Sequence, residues 1–252
     1  MTARPLAGRV ILVTGAGSGL GRATSLLLAR QGAQVLVADI DAGAAKETAG
    51  LIAAAGSSGT AEPIELDVTD SAAVDRVVDE ASAAYGDRFD ALINNAGTDR
   101  GSDLVEVDDE QWHGVFGVNV DAPMYLTRAF VRHRLALTGD RAESVADIVC
   151  VVSISALTVG AGAAAYNSSK AALLKLTEVM QTEARERSWP VRICAINPAA
   201  MATPMMDQWG LPPERMMDPA TVADLIRYAI DLPPEVVLQS AVMTLRNEYY
   251  PR

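Results

Sequence analysis

Short apolar runs alternate along this chain with longer segments that mix apolar and polar residues. The runs Val10–Thr14 and Gln34–Asp39 are rich in valine and leucine, which predicts strands buried on both faces. The segments 19–30 and 42–55 that follow them are rich in alanine and leucine, which favours helices. Such alternation predicts right-handed β-α-β crossovers and one parallel sheet with helices on both of its faces.

The same alternation continues to the end of the sequence. Further strands are predicted at 63–68, 91–94, 148–153, 191–198 and 236–245, and further helices at 70–85, 108–136, 166–187 and 219–231. A polar insert, Thr138–Ser144, precedes the strand at 148–153. Because no linker or repeat is visible, we expect a single α/β domain over residues 1–252, doubly wound around a parallel seven-stranded sheet.

Composition narrows the function without defining it. Half of the 252 residues are hydrophobic and the net charge is −11, which argues against binding to nucleic acid or to an anionic membrane surface. Cys150 and Cys194 lie in apolar runs without metal-ligand or disulfide-framework spacing, so we expect no metal site and a cytoplasmic location. No apolar run approaches the ~20 residues needed to cross a bilayer, and no signal-peptide pattern is visible at the N-terminus.

A glycine-rich turn, Thr14-Gly-Ala-Gly-Ser-Gly-Leu-Gly21, joins the first predicted strand to the first helix. Glycines permit a tight turn and let the backbone approach a phosphate closely. The N–H groups and positive dipole end at a helix start suit a pyrophosphate. A turn of this composition alone is also compatible with an ordinary loop, but the strand–glycine–helix order favours a dinucleotide site.

Asp39 ends the second predicted strand, 18 residues beyond Gly21, where a carboxylate would accept hydrogen bonds from an adenosine ribose. The alternative is a helix cap, for which Asp41 is better placed. Two unit charges about 4 Å apart repel by about 4 kcal/mol at an effective dielectric constant of 20, so a ribose 2′-phosphate would be disfavoured. No arginine or lysine directly follows Asp39 or lies in the turn before Gly21. The expected cofactor is therefore NAD.

Tyr166 and Lys170 are four residues apart in a segment of good helix formers, so their side chains lie on one helix face. A free tyrosine hydroxyl has a pKa of about 10, too high for a general base at neutral pH. A nearby ammonium group favours the phenolate and lowers that pKa. The pair is a candidate for proton transfer, although such pairs also occur on ordinary exposed helix faces. Asn119, polar within an apolar helix, is a second candidate or a structural amide.

These motifs together resemble the short-chain dehydrogenase/reductase family along nearly the whole chain. The matching segments are Thr14-Gly15-x-x-x-Gly19-x-Gly21, Asp67-Val68, Asn94-Asn95-Ala96-Gly97, Val118-Asn119-Val120, Ser153 and Tyr166-x-x-x-Lys170. The resemblance implies a Rossmann-type fold and a catalytic tetrad of Asn119, Ser153, Tyr166 and Lys170. Tyr166 would be the acid/base, Lys170 would lower its pKa and hold the nicotinamide ribose, Ser153 would bind the substrate oxygen, and Asn119 would support a proton-relay water. Ser155 fits a supporting position better than a catalytic one.

The resemblance also implies which residues hold the cofactor. These are Gly15, Gly17, Ser18, Gly19, Leu20, Gly21, Asp39, Ile40, Asp67, Val68, Asn95, Ala96, Gly97, Tyr166, Lys170, Pro198, Ala199, Met201 and Thr203. The family's usual Pro-Gly after the sixth strand is Pro198-Ala199 here, and the C-terminal residues 246–252 also depart from the family pattern.

The expected function is NAD-dependent interconversion of a secondary alcohol and a ketone. The alternative is a non-catalytic NAD(H)-binding regulator on the same fold. A lid over about 199–217, with its methionines and Trp209, suggests an apolar or ring-bearing substrate. The same methionines could instead pack a surface helix. The resemblance implies a homodimer or homotetramer formed through the helices at 108–136 and 166–187.

Overall fold

The computed structural model describes residues 6–137 and 144–247, and the predicted strands form one parallel sheet within them. The strands are β1 (Val10–Thr14), β2 (Gln34–Asp39), β3 (Thr60–Glu65), β4 (Phe89–Asn94), β5 (Ala146–Val151), β6 (Val191–Pro198) and β7 (Ser240–Met243). Their order is β3-β2-β1-β4-β5-β6-β7, and every neighbouring pair is parallel. Since the chain winds outward in opposite directions from β1 and β4, a crevice opens at the carboxyl ends of these two strands. The predicted α/β doubly wound fold is confirmed.

Helices cover both faces of the sheet. They are α1 (Gly19–Arg30), α2 (Ala42–Ala54), α3 (Ser71–Tyr85), α4 (Asp109–Phe116), α5 (Ala122–Ala136), α6 (Ala164–Glu186) and α7 (Pro219–Asp231). Side chains of β1 show the division: Val10 and Leu12 belong to the core shared with α3, α5 and α6, whereas Ile11 and Val13 belong to the core shared with α1, α2 and α7. Successive strand residues point to opposite faces, so a fully apolar strand supplies both cores.

Four strands differ from their predicted bounds. β4 begins at Phe89 rather than at 91, β5 covers Ala146–Val151 rather than 148–153, and the two larger differences lie at the sheet edges. The predicted strand 63–68 begins earlier and ends earlier, because β3 pairs with β2 from Gln34↔Thr60 to Asp39↔Glu65. Pro63 is tolerated within it because an edge strand need not donate from every N–H. The predicted strand 236–245 is shorter, since only Ser240–Met243 pairs with β6. Of the predicted polar insert 138–144, residues 138–143 lie outside the described residues.

The single helix predicted at 108–136 is divided in the structure. A π-helical turn, Gly117–Asp121, separates α4 from α5. Apolar residues continue at helical spacing on both sides of this turn, so periodicity alone does not reveal it. Turns of this kind are frequently found at functional sites, and this one contains Asn119.

A row of four buried charged side chains crosses the sheet near the amino ends of β1, β4, β5 and β6. Arg9 donates to Asp90 at 2.8 Å and to Asp147 at 2.6 Å, and Arg192 donates to the other oxygen of Asp147 at 2.5 Å. Both arginines also donate to the carbonyl oxygen of Ile230 at the end of α7. We call these four residues the buried charge row. It lies at the amino ends of the strands, opposite the crevice at their carboxyl ends.

Candidate active site

The carboxyl ends of the strands surround a cavity of about 990 Å³. Sequence candidates from every part of the chain meet there. The candidates that line it are Gly15, Ser18, Gly19, Leu20, Asp39, Ile40, Asp67, Val68, Asn95, Ala96, Gly97, Ser153, Tyr166, Lys170, Pro198, Ala199, Met201 and Thr203. The remaining candidates, Gly17, Gly21 and Asn119, lie behind this lining and support it.

The glycine-rich turn is packed too closely for side chains at Gly15, Gly17 and Gly21, and a Cβ on Gly17 would lie 2.7 Å from the Cβ of Ala44. A Cβ on Gly15 would lie 2.9 Å from the Cα of Ala96, and Gly15 has a φ of +62°. A Cβ on Gly21 would lie 2.1 Å from the carbonyl oxygen of Gly15. Ser18, which precedes α1, makes no capping hydrogen bond with its side chain, and the first turn of α1 holds no acidic residue. The helix start therefore presents N–H groups and a positive dipole end to the cavity, which fits a phosphate group.

Asp39 is bound to the glycine-rich turn. Its Oδ2 accepts a 2.8 Å hydrogen bond from the backbone N–H of Gly17, and its Oδ1 accepts one of 3.0 Å from the N–H of Asp41. Asp41 caps α2 by accepting from the N–H groups of Gly43 and Ala44. The prediction that Asp41 rather than Asp39 caps this helix is confirmed. The Asp39 carboxylate lies at the cavity wall.

Arg22 is the basic residue nearest the turn in sequence, and it is already engaged. Its guanidinium donates to Glu47 at 2.6 Å, to the carbonyl oxygen of Gly17 at 2.5 Å and to Thr48 at 3.1 Å. Arg22 is not among the residues that line the cavity. Its charge is balanced by Glu47, so Asp39 sets the sign of the charge at this end.

Thr14, which sequence reasoning treated only as the start of the turn, joins β1 to the loop after β4. Its hydroxyl oxygen accepts hydrogen bonds from the N–H groups of Asn95 and Ala96, each at 3.1 Å. The Asn95 side chain donates to the carbonyl oxygen of Thr14 at 2.8 Å. These bonds fix the floor of the crevice.

The Asp67 carboxylate accepts hydrogen bonds from the backbone N–H and the hydroxyl of Thr69 in an Asx turn.

Asn119 holds the π-helical turn against the floor of the cavity. Its Oδ1 accepts from the N–H of Thr98, while its Nδ2 donates to the Thr98 carbonyl oxygen and to Ser169, all at 2.9 to 3.0 Å. Asn119 is fully buried, so these partners are needed to offset its loss of hydration. Ser169 in turn donates to the carbonyl oxygen of Tyr166. Ser169 was not predicted; its position three residues after Tyr166 was the available signal.

The structure brings Ser153, Tyr166 and Lys170 together at the cavity wall. The Lys170 ammonium nitrogen lies 5.7 Å from the centre of the Tyr166 ring and donates to the carbonyl oxygen of Val151 at 3.0 Å. The Ser153 hydroxyl oxygen accepts from the N–H of Ser155 at 3.1 Å, which is consistent with a supporting position for Ser155. A Cβ on Gly97 would lie 3.4 Å from the Lys170 nitrogen, so this glycine leaves room for the ammonium group.

The electrostatics of the pair differ from the expectation. Burial raises the pKa of Tyr166 to about 12; the Ser153 hydroxyl lowers it and the charge of Asp99 raises it further. Burial lowers the pKa of Lys170 to about 8, against the opposing effects of Cys150 and Asp99. The phenol is thus held in its protonated form in this arrangement, because the ammonium group is directed towards Val151 and burial dominates. With a pKa of about 8, the Lys170 amine changes its protonation close to neutral pH.

The predicted lid consists of short 3₁₀ turns, Pro204–Trp209 and Pro213–Arg215, rather than a helix. An isolated bridge between Met201 and Met217 closes its base. Met201, Met205 and Met206 line the cavity, whereas Met217 is buried in the core. Three of these methionines therefore line the cavity, and Met205 is also exposed on the first 3₁₀ turn.

Asp99, which sequence reasoning missed, connects the lid to the loop after β4. Its Oδ2 accepts a 3.0 Å hydrogen bond from the indole N–H of Trp209, and its carbonyl oxygen accepts from Gln208. The Trp209 ring covers Gly101, where an added Cβ would lie 2.8 Å from the ring. The signal for Asp99 was its place two residues after Gly97.

The departure from Pro-Gly is accommodated in the sheet. The Ala199 side chain is buried, and its N–H donates to the carbonyl oxygen of Met243 at 2.9 Å. Thr203 lies against the glycine-rich turn, since a Cβ on Gly19 would meet its methyl group at 3.1 Å. The base of the lid is thus packed against the start of α1.

Residues 9–213 match the family model described as short chain dehydrogenase. The chain belongs to this family. It is 34% identical over 205 residues to the 3-oxoacyl-[acyl-carrier-protein] reductase of Thermotoga maritima, an alignment that covers 81% of this chain and 78% of the relative. It is 31% identical over 201 residues to meso-2,3-butanediol dehydrogenase of Serratia marcescens, covering 80% and 74% of the two chains.

A solved structure of the family has the same fold. The crystal structure of a metagenomic short-chain oxidoreductase in complex with NADP superposes with a TM-score of 0.80 at 28% identity, covering 96% of this chain and 100% of the other. The family membership that the motifs indicated is confirmed, and with it an oxidoreductase that uses a nicotinamide cofactor and acts on small molecules. Within residues 6–137 and 144–247, no helix is both long and apolar enough to span a membrane.

Proposed function

We propose that this protein is an NAD-dependent oxidoreductase that interconverts a secondary alcohol and a ketone. The observation that carries the proposal is the meeting of two sets of residues in one cavity. The glycine-rich turn and Asp39 lie at one end, and Ser153, Tyr166 and Lys170 lie at the other. A site that binds a dinucleotide and aims a proton donor at its reactive end supports hydride transfer at a carbinol carbon.

The residues of the cavity fit the cofactor. The N–H groups at the start of α1 suit its pyrophosphate. Asp39 suits the adenosine ribose hydroxyls, Asp67 and Val68 flank the adenine side, and Thr203 suits the carboxamide. These positions support the cofactor-binding residues that the family resemblance implied. When bound, the nicotinamide ring accepts or supplies the hydride.

The charge at Asp39 supports NAD over NADP. This carboxylate is fixed by the N–H groups of Gly17 and Asp41, so it cannot swing away from an added phosphate without losing both bonds. Arg22 is held by Glu47 and does not offset it. Repulsion of about 4 kcal/mol, from unit charges about 4 Å apart at an effective dielectric constant of 20, would reduce NADP affinity roughly a thousandfold.

The catalytic roles follow from the positions of the side chains. Tyr166 donates a proton to the carbonyl oxygen in reduction and takes one from the alcohol in oxidation. Ser153 binds the same substrate oxygen and sets its distance from the reacting carbon. Lys170 faces the Tyr166 ring and supplies positive charge that favours the phenolate whenever its ammonium is directed there. Asn119 holds Thr98 and Ser169 and so preserves the opening beside Tyr166.

The segment 199–217 acts as the substrate lid in this proposal. Met205, Met206 and Trp209 present an adaptable apolar wall, which supports an apolar or ring-bearing substrate. Assembly as a homodimer or homotetramer through α4, α5 and α6, in the cytoplasm, completes the proposed picture.

A panel of secondary alcohols and ketones tests the proposal directly. Purified protein is incubated with NAD or NADP and each alcohol, and the absorbance of the reduced cofactor is followed. Turnover with NAD, with NADP at least 10²-fold poorer in kcat/KM, is the expected result. Cofactor binding without turnover of any alcohol or ketone would instead favour the non-catalytic NAD(H)-binding regulator.

A further inference from the structure

The loop after β4 brings one carboxylate to the substrate end of the cavity. Asp99 lines the cavity, and its Oδ2 accepts from the indole N–H of Trp209. Its Oδ1 is buried and has no hydrogen-bond partner among the described residues. The backbone N–H of Arg100 favours the charged carboxylate without forming a bond of ordinary geometry. A buried acceptor left unpaired costs about 1–3 kcal/mol, and more for a charged group, so such an atom is rarely retained without a purpose.

The carboxylate lies within electrostatic range of the reacting groups. The charge of Asp99 raises the pKa of Tyr166, and Lys170 lowers the pKa of Asp99 against the larger effect of its own burial. The lid side of the cavity contributes apolar side chains from Met205, Met206, Trp209 and Leu211. A substrate seated against Tyr166 therefore meets an apolar wall that holds the Asp99 carboxylate, with Arg100 beside it and Oδ1 of Asp99 on the buried side.

We infer that Asp99 is a specificity-determining residue, and that its carboxylate accepts a hydrogen bond from a donor group carried by the substrate close to the reacting carbinol carbon. The donor is a second hydroxyl or an ammonium group. This inference rests on the proposed function. A plain alcohol has no such donor and leaves the carboxylate without this partner.

The size of the effect follows from the cost of an unpaired polar group. Sites built to bind a substrate hydroxyl reject the analogue that lacks it by up to about 10⁴- to 10⁵-fold. Since the other carboxylate oxygen is already paired with Trp209, we expect about 10²-fold here, in the range of one lost hydrogen bond to a charged group.

The test compares ring alcohols that differ only in the donor. Values of kcat/KM are measured for cyclohexanol, cyclohexane-1,2-diol, cyclohexane-1,3-diol and 2-aminocyclohexanol. Wild-type protein should prefer at least one donor-bearing compound by about 10²-fold, and the Asp99→Ala variant should lose that preference. The comparison of diols with the amino alcohol tells a hydroxyl from an ammonium donor. Asp103→Ala is the matched control, because Asp103 is an exposed acid of the same loop that does not line the cavity.

The lid contact needs its own variant, because Asp99→Ala also removes the acceptor for Trp209. Trp209→Phe removes the N–H donor and leaves the carboxylate in place. It should change KM for all four compounds alike and keep their ranking. If Trp209→Phe erased the preference as Asp99→Ala does, or if Asp99→Ala left the preference unchanged, the inference would be overturned.

Binding measurements separate this inference from the proposed function. Titration calorimetry with the reduced cofactor present gives the affinity of each compound without turnover. Turnover without any preference that depends on Asp99 defeats the inference and leaves the proposed function intact. An Asp99-dependent preference in binding without turnover defeats the proposed function and leaves the inference intact. Equal binding of all four compounds by wild type defeats the inference in either case.

Discussion

The backbone N–H of Gly17 donates to Oδ2 of Asp39 at 2.8 Å, so the glycine-rich turn and the end of β2 form one unit. A Cβ on Gly17 would come within 2.8 Å of the same oxygen. Asp39 therefore shapes the turn as well as setting the charge beside it. A substitution that tests the charge must preserve an acceptor for Gly17.

Asp39→Asn removes the charge and retains an oxygen that can accept from Gly17. We expect the ratio of kcat/KM for NADP to that for NAD to rise by about 10²-fold, somewhat less than the estimated loss in affinity because solvent screens the charge. Steady-state kinetics with both cofactors measure it. Asp41→Asn is the matched control, since it changes the same charge two residues away at the cap of α2. An unchanged ratio in Asp39→Asn would remove the repulsion argument for NAD.

Tyr166→Phe removes the hydroxyl group and keeps the ring that faces Lys170. We expect kcat to fall by about 10²- to 10⁴-fold, the range of general acid–base catalysis, with little change in cofactor affinity. Cofactor fluorescence titration and single-turnover absorbance provide the two readouts. Tyr228→Phe, at an exposed position of α7, should match wild type in both. Retained turnover in Tyr166→Phe would show that another group transfers the proton.

The pH dependence of oxidation should shift when Asp99 loses its charge. Oxidation needs the phenolate of Tyr166, whose pKa is raised to about 12 by burial and further by the negative charge of Asp99. Asp99→Asn removes that second contribution, so the pKa falls and activity should begin to rise at a lower pH. Profiles of kcat/KM against pH for wild type and variant measure the shift, with Asp103→Asn as control. A shift towards higher pH would contradict this assignment.

Asp147→Ala tests the buried charge row. This carboxylate is almost completely buried and accepts from both Arg9 and Arg192. Its removal leaves the buried Arg192 without a counter-charge among the described residues and leaves Arg9 with Asp90 alone, which costs about 3–5 kcal/mol in the free energy of unfolding. Urea unfolding measures the change. Asp224→Ala, which removes an exposed partner 3.8 Å from Arg227, should cost less than about 1 kcal/mol. Equal effects of the two variants would mean that the row contributes no more than a surface pair.

What sequence could predict depended on the separation of the interacting residues. The glycine-rich turn, the cap at Asp41 and the pair Tyr166–Lys170 are local, so spacing revealed them. The contact between Asp99 and Trp209 joins residues 110 positions apart, and that between Arg9 and Asp147 joins residues 138 positions apart. Neither contact leaves a periodic trace in the chain. The π-helical turn was missed because apolar residues continue at helical spacing on both sides of Gly117–Asp121.

The raised pKa of Tyr166 was also beyond the sequence. Spacing places the Lys170 side chain on the same helix face, but it does not give the direction of the ammonium group or the depth of burial. In the structure the nitrogen is directed to the carbonyl oxygen of Val151, 19 residues away in another element. Burial is then the largest cause of the raised pKa of Tyr166.

The buried charge row lies at the opposite end of the sheet from the candidate active site, so a source of fold stability is separate from the reacting residues. Its members connect the amino ends of four adjacent strands. The lid and the loops that line the cavity follow the carboxyl ends of the strands. The loop sequences can therefore change, and with them the substrate, without altering the buried charge row. The two ends of the sheet can be altered separately. Substitutions in the buried charge row change stability, and substitutions in the loops change the substrate.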